Sequence, residues 1–307
     1  MKKILSVFLS VVFLCAVSAC GSEKKSAEKA ENIVITDDNG REIAFDKKPQ
    51  KIIVTSASFI EPLYAVGGEI IGRPDSKMKI PDAAKKAKVI GKVYQVDAEE
   101  LLSLEPDLVV INKGKNERLI ETLEASGIKT IIVEMKTYEE VKRTLSLFAK
   151  LTENEKKAEE IIATMDKEIE SVKTKLPQGK PKIAILHGTS QNVTLETKTS
   201  IAGNIAEMLG LQNIADDMKA LPNNPSAAPY SLETLAEKNP DIIFVTTMGK
   251  EKEIESAMLK SMEENPAWGA VDAVKNKKVY FLSQEHFLFS PGIHYPKAVE
   301  EMAEHIK

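Results

Sequence analysis

Short apolar runs alternate with amphipathic segments along most of this 307-residue chain. The runs have the length and the isoleucine and valine content of buried strands, whereas the intervening segments repeat apolar residues at three- and four-residue steps, as helices do. The predicted strands cover residues 51–55, 70–72, 89–91, 108–112, 130–134, 183–186, 242–246 and 279–282. The predicted helices include residues 59–66, 99–104, 117–126 and 201–209. This order indicates mostly parallel sheets with helices on both faces.

Two turn signals frame this pattern. Asn39-Gly40 lies between two β-type runs near the start of the chain and predicts a hairpin, because this dipeptide readily adopts positive φ. Near the end, Ser290-Pro291 precedes an amphipathic segment, and Pro291 is suited to the first turn of a final helix.

The alternation stops between residues 138 and 178, where the pattern is helical throughout. Apolar residues from Ala158 to Ile169 fall on one stripe, and lysine and glutamate fill the other positions. Thr152 and Glu155 have the spacing of a capping box that would restart the helix. The segment is therefore expected to connect two separately built regions.

We expect an α/β protein of two lobes with mostly parallel central sheets, joined by one long backbone helix. The N-terminal lobe would cover residues 33–137, the connecting helix residues 138–178 and the C-terminal lobe residues 179–307. A surface helix within one large domain is the alternative interpretation of the connecting segment.

The N-terminus has the features of an export signal. Lys2 and Lys3 precede an apolar stretch that ends in small residues leading into Cys20. The stretch is too short to span a bilayer comfortably, which takes roughly 20 residues, and the order of features is typical of a signal peptide with a lipobox. We expect removal of residues 1–19, lipid on Cys20, and a flexible charged tether over residues 20–32. The alternatives are an ordinary signal peptide or a short anchor helix.

The predicted location follows from this signal: the protein would be exported and lipid-anchored at the outer face of the cell membrane, or on the periplasmic side of an envelope membrane. Cys15 lies in the segment to be removed, so the mature chain would have no pair of cysteines for a disulfide.

Composition narrows the function classes. The net charge of -4 comes from 42 basic and 46 acidic residues in mixed order, which argues against nucleic-acid binding. The sequence has no Gly-x-Ser-x-Gly elbow, phosphate-binding glycine loop or dinucleotide fingerprint, so we expect no enzyme and no intrinsic cofactor. A two-lobed receptor for zinc or manganese is another alternative. It would need three histidines and a carboxylate around the metal, and the sequence has only four histidines in all.

One segment occurs twice. Residues 99–110 match residues 233–244 in a glutamate, a leucine, a proline and an aspartate at the same spacing, followed by an apolar run. Each copy predicts a short helix with Glu99 or Glu233 in its first turn, then a buried strand. The repeat supports two similarly built lobes, although first-turn glutamates are also favoured by the helix dipole alone.

With its lipobox, tether, hairpin, two lobes and duplicated segment, the sequence resembles the class III solute-binding proteins of ABC importers. Asn265-Pro266-Ala267-Trp268 and Ser290-Pro291-Gly292 add to a resemblance that covers essentially the whole mature chain. Members of that family carry cobalamin, ferric siderophores or haem. The resemblance implies a monomeric receptor that docks Glu99 and Glu233 on an ABC permease dimer, which works with its ATPase subunits.

Ligands of open α/β sheets bind beyond the carboxyl ends of the strands, so residues that follow the predicted strands are the candidates for ligand contact. They are Ser56, Ser58, Arg73, Met78 and Tyr94 in the first lobe, and His187, Met248, His286 and His294 in the second. We expect a ligand to lie between the two sets. The single connecting helix is expected to keep closure of this cleft modest.

The expected ligand is a small-molecule iron complex. Haem-binding relatives place an axial ligand near the loop of Tyr94, and a phenolate, a thioether or an imidazole can coordinate haem iron. The resemblance makes Tyr94 or Met78, together with His187, the candidate axial pair. A rim tyrosine and a loop histidine without such roles are the alternative.

Haem ranks before a ferric siderophore and cobalamin. Siderophore sites of the family use arginines and several aromatic residues, whereas only Arg73 of four arginines is positioned for the cleft. Cobalamin ranks third, because Ser76 and Val93 stand where cobalamin-binding relatives carry an aromatic clamp.

Overall fold

The first element is the predicted hairpin. In the computed structural model, which describes residues 32–306, β1 (Ile33–Thr36) pairs antiparallel with β2 (Glu42–Phe45). The loop is longer than a two-residue turn, because the Asp37 carboxylate accepts hydrogen bonds from the backbone N–H groups of Asn39 and Arg41. Gly40 adopts φ +76° within it.

The next strands form a six-stranded sheet in the order β6-β5-β4-β3-β7-β8, parallel except for β6. The strands are β3 (Ile52–Val54), β4 (Gly72–Asp75), β5 (Lys88–Lys92), β6 (Gln95–Val96), β7 (Leu108–Asn112) and β8 (Lys129–Val133). The intervening helices are α1 (Ile60–Ala65), α2 (Ala98–Ser103) and α3 (Ile120–Ala125). The strand predicted at residues 70–72 begins later than expected, because β4 runs from Gly72 to Asp75.

Both faces of this sheet are buried, as the apolar runs predict. Ile52 and Val110 pack on the side covered by α1, whereas Ile53 and Val109 pack on the opposite side. Alternate residues of one strand point to opposite faces of the sheet. A strand that is apolar at every position therefore needs other elements packed on both faces.

The connecting segment consists of two helices rather than one, α4 (Tyr138–Thr152) and α5 (Glu155–Lys173). Glu153 separates them in the left-handed conformation, with φ +54°. The predicted capping box at Thr152 does not form, because the Thr152 hydroxyl donates to the carbonyl of Val66, 2.8 Å away, after α1. A capping box is present instead at Thr137 and Glu140, where α4 begins.

The second sheet has the order β12-β10-β9-β13-β14, with β11 beside the start of β9. Its strands are β9 (Lys182–Thr189), β10 (Val193–Glu196), β11 (Gln212–Asn213), β12 (Ala227–Ala228), β13 (Ile242–Met248) and β14 (Val279–Phe281). β9, β11, β13 and β14 are parallel, while β10 and β12 are antiparallel additions.

Six helices accompany this sheet: α6 (Ile201–Met208), α7 (Leu232–Lys238), α8 (Glu251–Glu264), α9 (Asp272–Lys275), α10 (Gln284–Phe287) and α11 (Tyr295–Glu304). Pro291 precedes a 3-10 turn rather than starting the last α-helix, which has Pro296 in its own first turn.

The two sheets share one apolar core. A continuous cluster of buried side chains includes Phe59 from the first lobe, Phe148 from the connecting helix α4, and Phe244 and Tyr295 from the second lobe. The rings of Phe59 and Phe148 meet edge to face with centroids 6.3 Å apart. Helices α4, α5 and α11 carry this cluster from one lobe to the other.

The predicted signal peptide of residues 1–19, the lipidated Cys20 and the tether as far as residue 31 lie outside the described residues. Within residues 32–306, no helix has both the length and the apolar character needed to cross a bilayer.

Candidate functional site

Polar and sulfur-containing side chains gather where the parallel strands of the first sheet end. Ser56 follows β3, and its hydroxyl accepts a hydrogen bond from the backbone N–H of Ser58 at 3.4 Å. The Ser58 hydroxyl lies 3.6 Å from the sulfur of Met78, which follows β4. Three of the predicted cleft residues are therefore brought together at this edge.

Tyr94 lies at the same edge, in the turn between β5 and β6, and is 62% exposed. The Nζ atom of Lys115 lies 5.0 Å from the centroid of its ring. Buried Asn116 donates from Nδ2 to the carbonyl of Val93 at 3.0 Å, which ties the Tyr94 turn to the loop after β7. The phenol is thus exposed on a turn whose backbone is held from a neighbouring loop.

Arg73 does not follow a strand as predicted but lies within β4. Its Nη1 donates to the carbonyl of Pro74 at 3.3 Å, and its buried Nε has no hydrogen-bond partner among residues 32–306. Extension of β4 past Gly72 draws this arginine into the sheet.

His187 also lies within a strand, because β9 continues to Thr189. Its Nδ1 is 2.9 Å from the hydroxyl of Thr246 on β13 and 3.3 Å from Oε1 of Glu196 on β10. The Thr246 hydroxyl donates to the same carboxylate. The imidazole is therefore held from both neighbouring strands at the carboxyl end of the sheet.

Sequence reasoning missed Glu196 and Thr246. Thr246 was predicted only as the end of an apolar strand, and Glu196 closes a strand that was not predicted. The one weak signal in the sequence for this site is the carboxylate of Glu196, which ends the alternating apolar and polar run from Val193 to Glu196.

Met248 is the last residue of β13 and is 43% exposed. Since side chains two residues apart on a strand share a face, Met248 lies on the face of Thr246 and next to the edge where His187 is held. The Met248 thioether and the His187 imidazole therefore lie on the same face of the second sheet, near its carboxyl edge.

The other two predicted histidines each contact a carboxylate. His286 Nδ1 lies 2.6 Å from Oε2 of Glu301. The Ser283 hydroxyl donates to the same oxygen, and the Ser283 backbone N–H donates to Oε1. Burial raises the pKa of Glu301, but the bonds from His286 and Ser283 outweigh this effect and leave that pKa below its usual value. His294 Nε2 lies 2.9 Å from Oε1 of Glu61 on α1.

The duplicated segment has one structure in both lobes. Glu99 and Glu233 are each the second residue of a helix and are exposed, while Asp97 and Ser231 supply the side-chain caps. Neither glutamate has an ion-pair partner in the part of the chain that the structure describes. Helix capping therefore does not depend on either glutamate.

The aspartates of the repeat also correspond. Asp107 accepts hydrogen bonds from the backbone N–H groups of Gln50 and Lys51, just before β3, at 2.8 and 2.9 Å. Asp241 accepts one from Lys182, at the start of β9, at 2.8 Å. Each carboxylate anchors the strand that comes first in the main sheet of its lobe, β3 or β9.

A cavity of about 920 Å³ lies in the second lobe beside α8, with Val193, Met258 and Trp268 in its lining. Trp268 belongs to the same buried cluster as Leu186, whereas His187, the next residue of β9, points to the opposite face. Thr189, the last residue of β9, also lines the cavity, which therefore reaches the carboxyl edge of the sheet. No cluster of three or more histidine, cysteine or acidic side chains within residues 32–306 is arranged to hold a metal ion.

Two α/β lobes, each with candidate ligand contacts at the carboxyl edge of its sheet, define a solute-binding protein. The chain belongs to the periplasmic binding protein family, whose model matches residues 52–286. It is accordingly a non-enzymatic transport component, as the resemblance implied. Solute-binding proteins of ABC importers work with a permease and an ATPase.

Three relatives from Bacillus subtilis strain 168 match nearly end to end. The iron-uptake system-binding protein is 28% identical, over 91% of this chain and 90% of the relative. The iron(3+)-hydroxamate-binding protein FhuD is 25% identical, over 99% and 97%. YvrC, named as an uncharacterized ABC transporter substrate-binding lipoprotein, is 24% identical, over 98% and 95%.

Two solved structures share the fold. An ABC transporter substrate-binding protein from Listeria monocytogenes EGD-e superposes with a TM-score of 0.76 at 23% identity, covering 85% of this chain and 99% of that one. Staphylococcus aureus IsdE, solved in complex with heme, gives a TM-score of 0.73 at 20% identity, covering 83% and 98%. The two-lobed α/β fold is therefore that of known solute-binding proteins.

Proposed function

We propose that this protein is the receptor of an ABC importer that captures an iron complex between its lobes, haem in preference to a ferric siderophore. The observation that carries the proposal is the held imidazole of His187, whose Nε2 has no hydrogen-bond partner among residues 32–306. A histidine that binds a metal commonly directs its other nitrogen to a carboxylate or similar group. His187 has that arrangement.

The first lobe offers the second axial ligand. Tyr94 is exposed on a held turn, and Met78 lies against Ser58 at the same edge of the sheet. A tyrosine phenolate and a methionine thioether are both known ligands of haem iron. We favour Tyr94 with His187. Met78 and Met248 then supply adaptable apolar contacts for the porphyrin faces.

A ferric siderophore is the second candidate, because lysines surround the same edge of the first lobe. Lys77, Lys79, Lys92 and Lys115 are exposed, and none has an ion-pair partner within the described residues. Ammonium groups attract anionic ligands as point charges, without the fixed fork of arginine. The relative that binds an iron(3+)-hydroxamate adds weight to this candidate.

Delivery completes the proposal. We assign the two lobes as residues 33–137 and 179–307, with residues 138–178 between them. Exposed Glu99 and Glu233 occupy equivalent positions on these lobes. Each of the two helices leads into a parallel strand and therefore runs from the carboxyl edge of the sheet to the amino end of that strand. The first turn of each helix, which carries the glutamate, thus lies toward the carboxyl edge. A permease dimer would contact one glutamate on each lobe of a monomeric receptor. Lipid on Cys20 would keep this receptor at the outer membrane face, raising its concentration near the permease.

Titration of the purified protein with haemin tests the ligand. We expect a one-to-one complex with a shifted Soret band, lost or strongly weakened in His187→Ala and altered in Tyr94→Ala. His305→Ala is the matched control, since His305 stacks on Tyr280 away from the candidate ligands. A spectrum identical to that of free haemin, together with tight binding of a ferric hydroxamate, would replace haem by a siderophore.

A further inference from the structure

A buried carboxylate lies behind the candidate iron ligand. The Glu196 side chain is only 10% exposed, and the polar side-chain groups that its carboxylate contacts within residues 32–306 are the Thr246 hydroxyl and the His187 ring. A buried carboxylate is costly unless hydrogen bonds or opposite charge compensate it. Three strands supply these three groups, so the cluster depends on the central part of the second sheet.

The hydrogen bonds in this cluster have a defined direction. A threonine hydroxyl has a single proton, and Thr246 donates it to the Glu196 carboxylate, which can only accept while ionised. Thr246 must then accept from His187, so Nδ1 of His187 carries a proton. In a neutral imidazole this leaves the lone pair on Nε2.

We propose that Glu196 and Thr246 are positioning residues that hold His187 in its Nδ1–H tautomer and direct the Nε2 lone pair toward the iron of the bound complex. This inference rests on the proposed function for the identity of the ligand. The tautomer itself is a property of the ligand-free protein. Neither residue touches the ligand, and both act through the imidazole.

An imidazolium is the competing arrangement. A doubly protonated His187 would pair with Glu196 and donate from Nε2 to an anionic group of the ligand, without coordinating iron. The two arrangements differ in whether Nε2 carries a proton, which can be measured directly.

Long-range proton–nitrogen NMR of the ligand-free protein, labelled at its four histidines, decides between them near neutral pH. The His187 signals are assigned by their loss in His187→Ala. We expect a protonated Nδ1 and an unprotonated Nε2 in the wild type. Glu196→Gln should shift the ring toward the Nε2–H tautomer, because a glutamine amide can donate as well as accept. Thr246→Val should weaken the preference for Nδ1–H, because Nδ1 then keeps only its 3.3 Å contact with the Glu196 carboxylate. Thr246→Ser should restore the wild-type pattern.

Thr247→Val is the matched control, as Thr247 is the next residue of β13, is equally buried, and bonds to Gln284 instead. Its His187 signals should match those of the wild type. A wild-type Nε2 that carries a proton would overturn the inference, whichever ligand binds.

Haemin binding by the same variants gives the second measurement. Loss of an outer hydrogen-bond partner typically lowers metal affinity about 10–100-fold, and we expect that loss in Thr246→Val and Glu196→Gln but not in Thr246→Ser or Thr247→Val. If wild-type protein leaves the haemin spectrum unchanged, haem as the ligand fails. The NMR result still decides the tautomer.

Discussion

The Nε2 atom of His294 lies 2.9 Å from Oε1 of Glu61, and the two residues belong to different lobes. Glu61 is in the first turn of α1, whereas His294 ends the 3-10 turn before α11. Gly292 of that turn packs so closely on Pro62 that an added Cβ would lie 3.0 Å from its ring. The lobes therefore meet directly, in addition to their connection through α4 and α5.

We expect ligand binding to close the cleft only slightly. The shared apolar core and the contact between α1 and the 3-10 turn would both have to rearrange in a large rotation, and packed cores resist continuous deformation. Spin labels at exposed Glu121 on α3 and Lys260 on α8 would report the distance between the lobes. Their separation should change by less than the width of its distribution. A clear jump to a second, well-separated distance would contradict this expectation.

Gly292→Ala should lower the free energy of unfolding by about 1–2 kcal/mol, because Gly292 has φ +53° and alanine is strained in the left-handed region. Contact of the new methyl group with Pro62 adds to the effect. Gly269→Ala is the control, since its added Cβ would meet no atom within 4 Å. Denaturant unfolding of both variants provides the measurement, and equal stabilities would contradict the proposed contact.

Glu301 should make stability depend on pH in the acidic range. Its pKa is lowered in the folded protein, because hydrogen bonds from His286 and Ser283 outweigh the effect of burial. A lowered carboxyl pKa contributes stability above the unfolded-state value, about 4.3 for glutamate, and that contribution is lost as pH falls through the folded-state pKa. Glu301→Gln should therefore reduce the loss of stability on acidification. Glu300→Gln, at an exposed neighbouring position, should behave like the wild type.

Glu99→Ala and Glu233→Ala should abolish uptake of the iron complex while leaving its affinity for the purified receptor unchanged. Both side chains are exposed, and the adjacent helices are capped by Asp97 and Ser231. Glu100→Ala is a matched control, because Glu100 is the next residue but forms an ion pair with Lys88. Reduced affinity in either variant would instead place that glutamate at the ligand.

Local patterns predicted much of the fold. Residues 108–112 were predicted as a strand and form β7 with the same bounds, because a run of branched apolar residues buried on both faces has few other stable conformations. The duplicated segment correctly predicted two equivalent helices followed by strands. The predicted hairpin is also confirmed.

Long-range contacts decided where the predictions failed. Nothing near Thr152 in the sequence indicates that its hydroxyl bonds to Val66, which lies in another helix-to-strand connection, and this contact accompanies the break between α4 and α5. Arg73 and His187 were expected beyond the ends of their strands but lie within them. The end of a strand depends on how far its partner strands extend, and local periodicity does not reveal this.

The sequence by itself determined the α/β class, the two-lobed order of elements, the duplicated glutamates and the residue types available at the strand ends. These follow from periodicity and spacing, which act over a few residues. Only the tertiary structure decided that Glu196 and Thr246 meet His187, and that Glu61 meets His294. Hydrogen bonds between residues 50 or 233 positions apart depend on strand register and lobe packing, and these are set by the burial of the whole core.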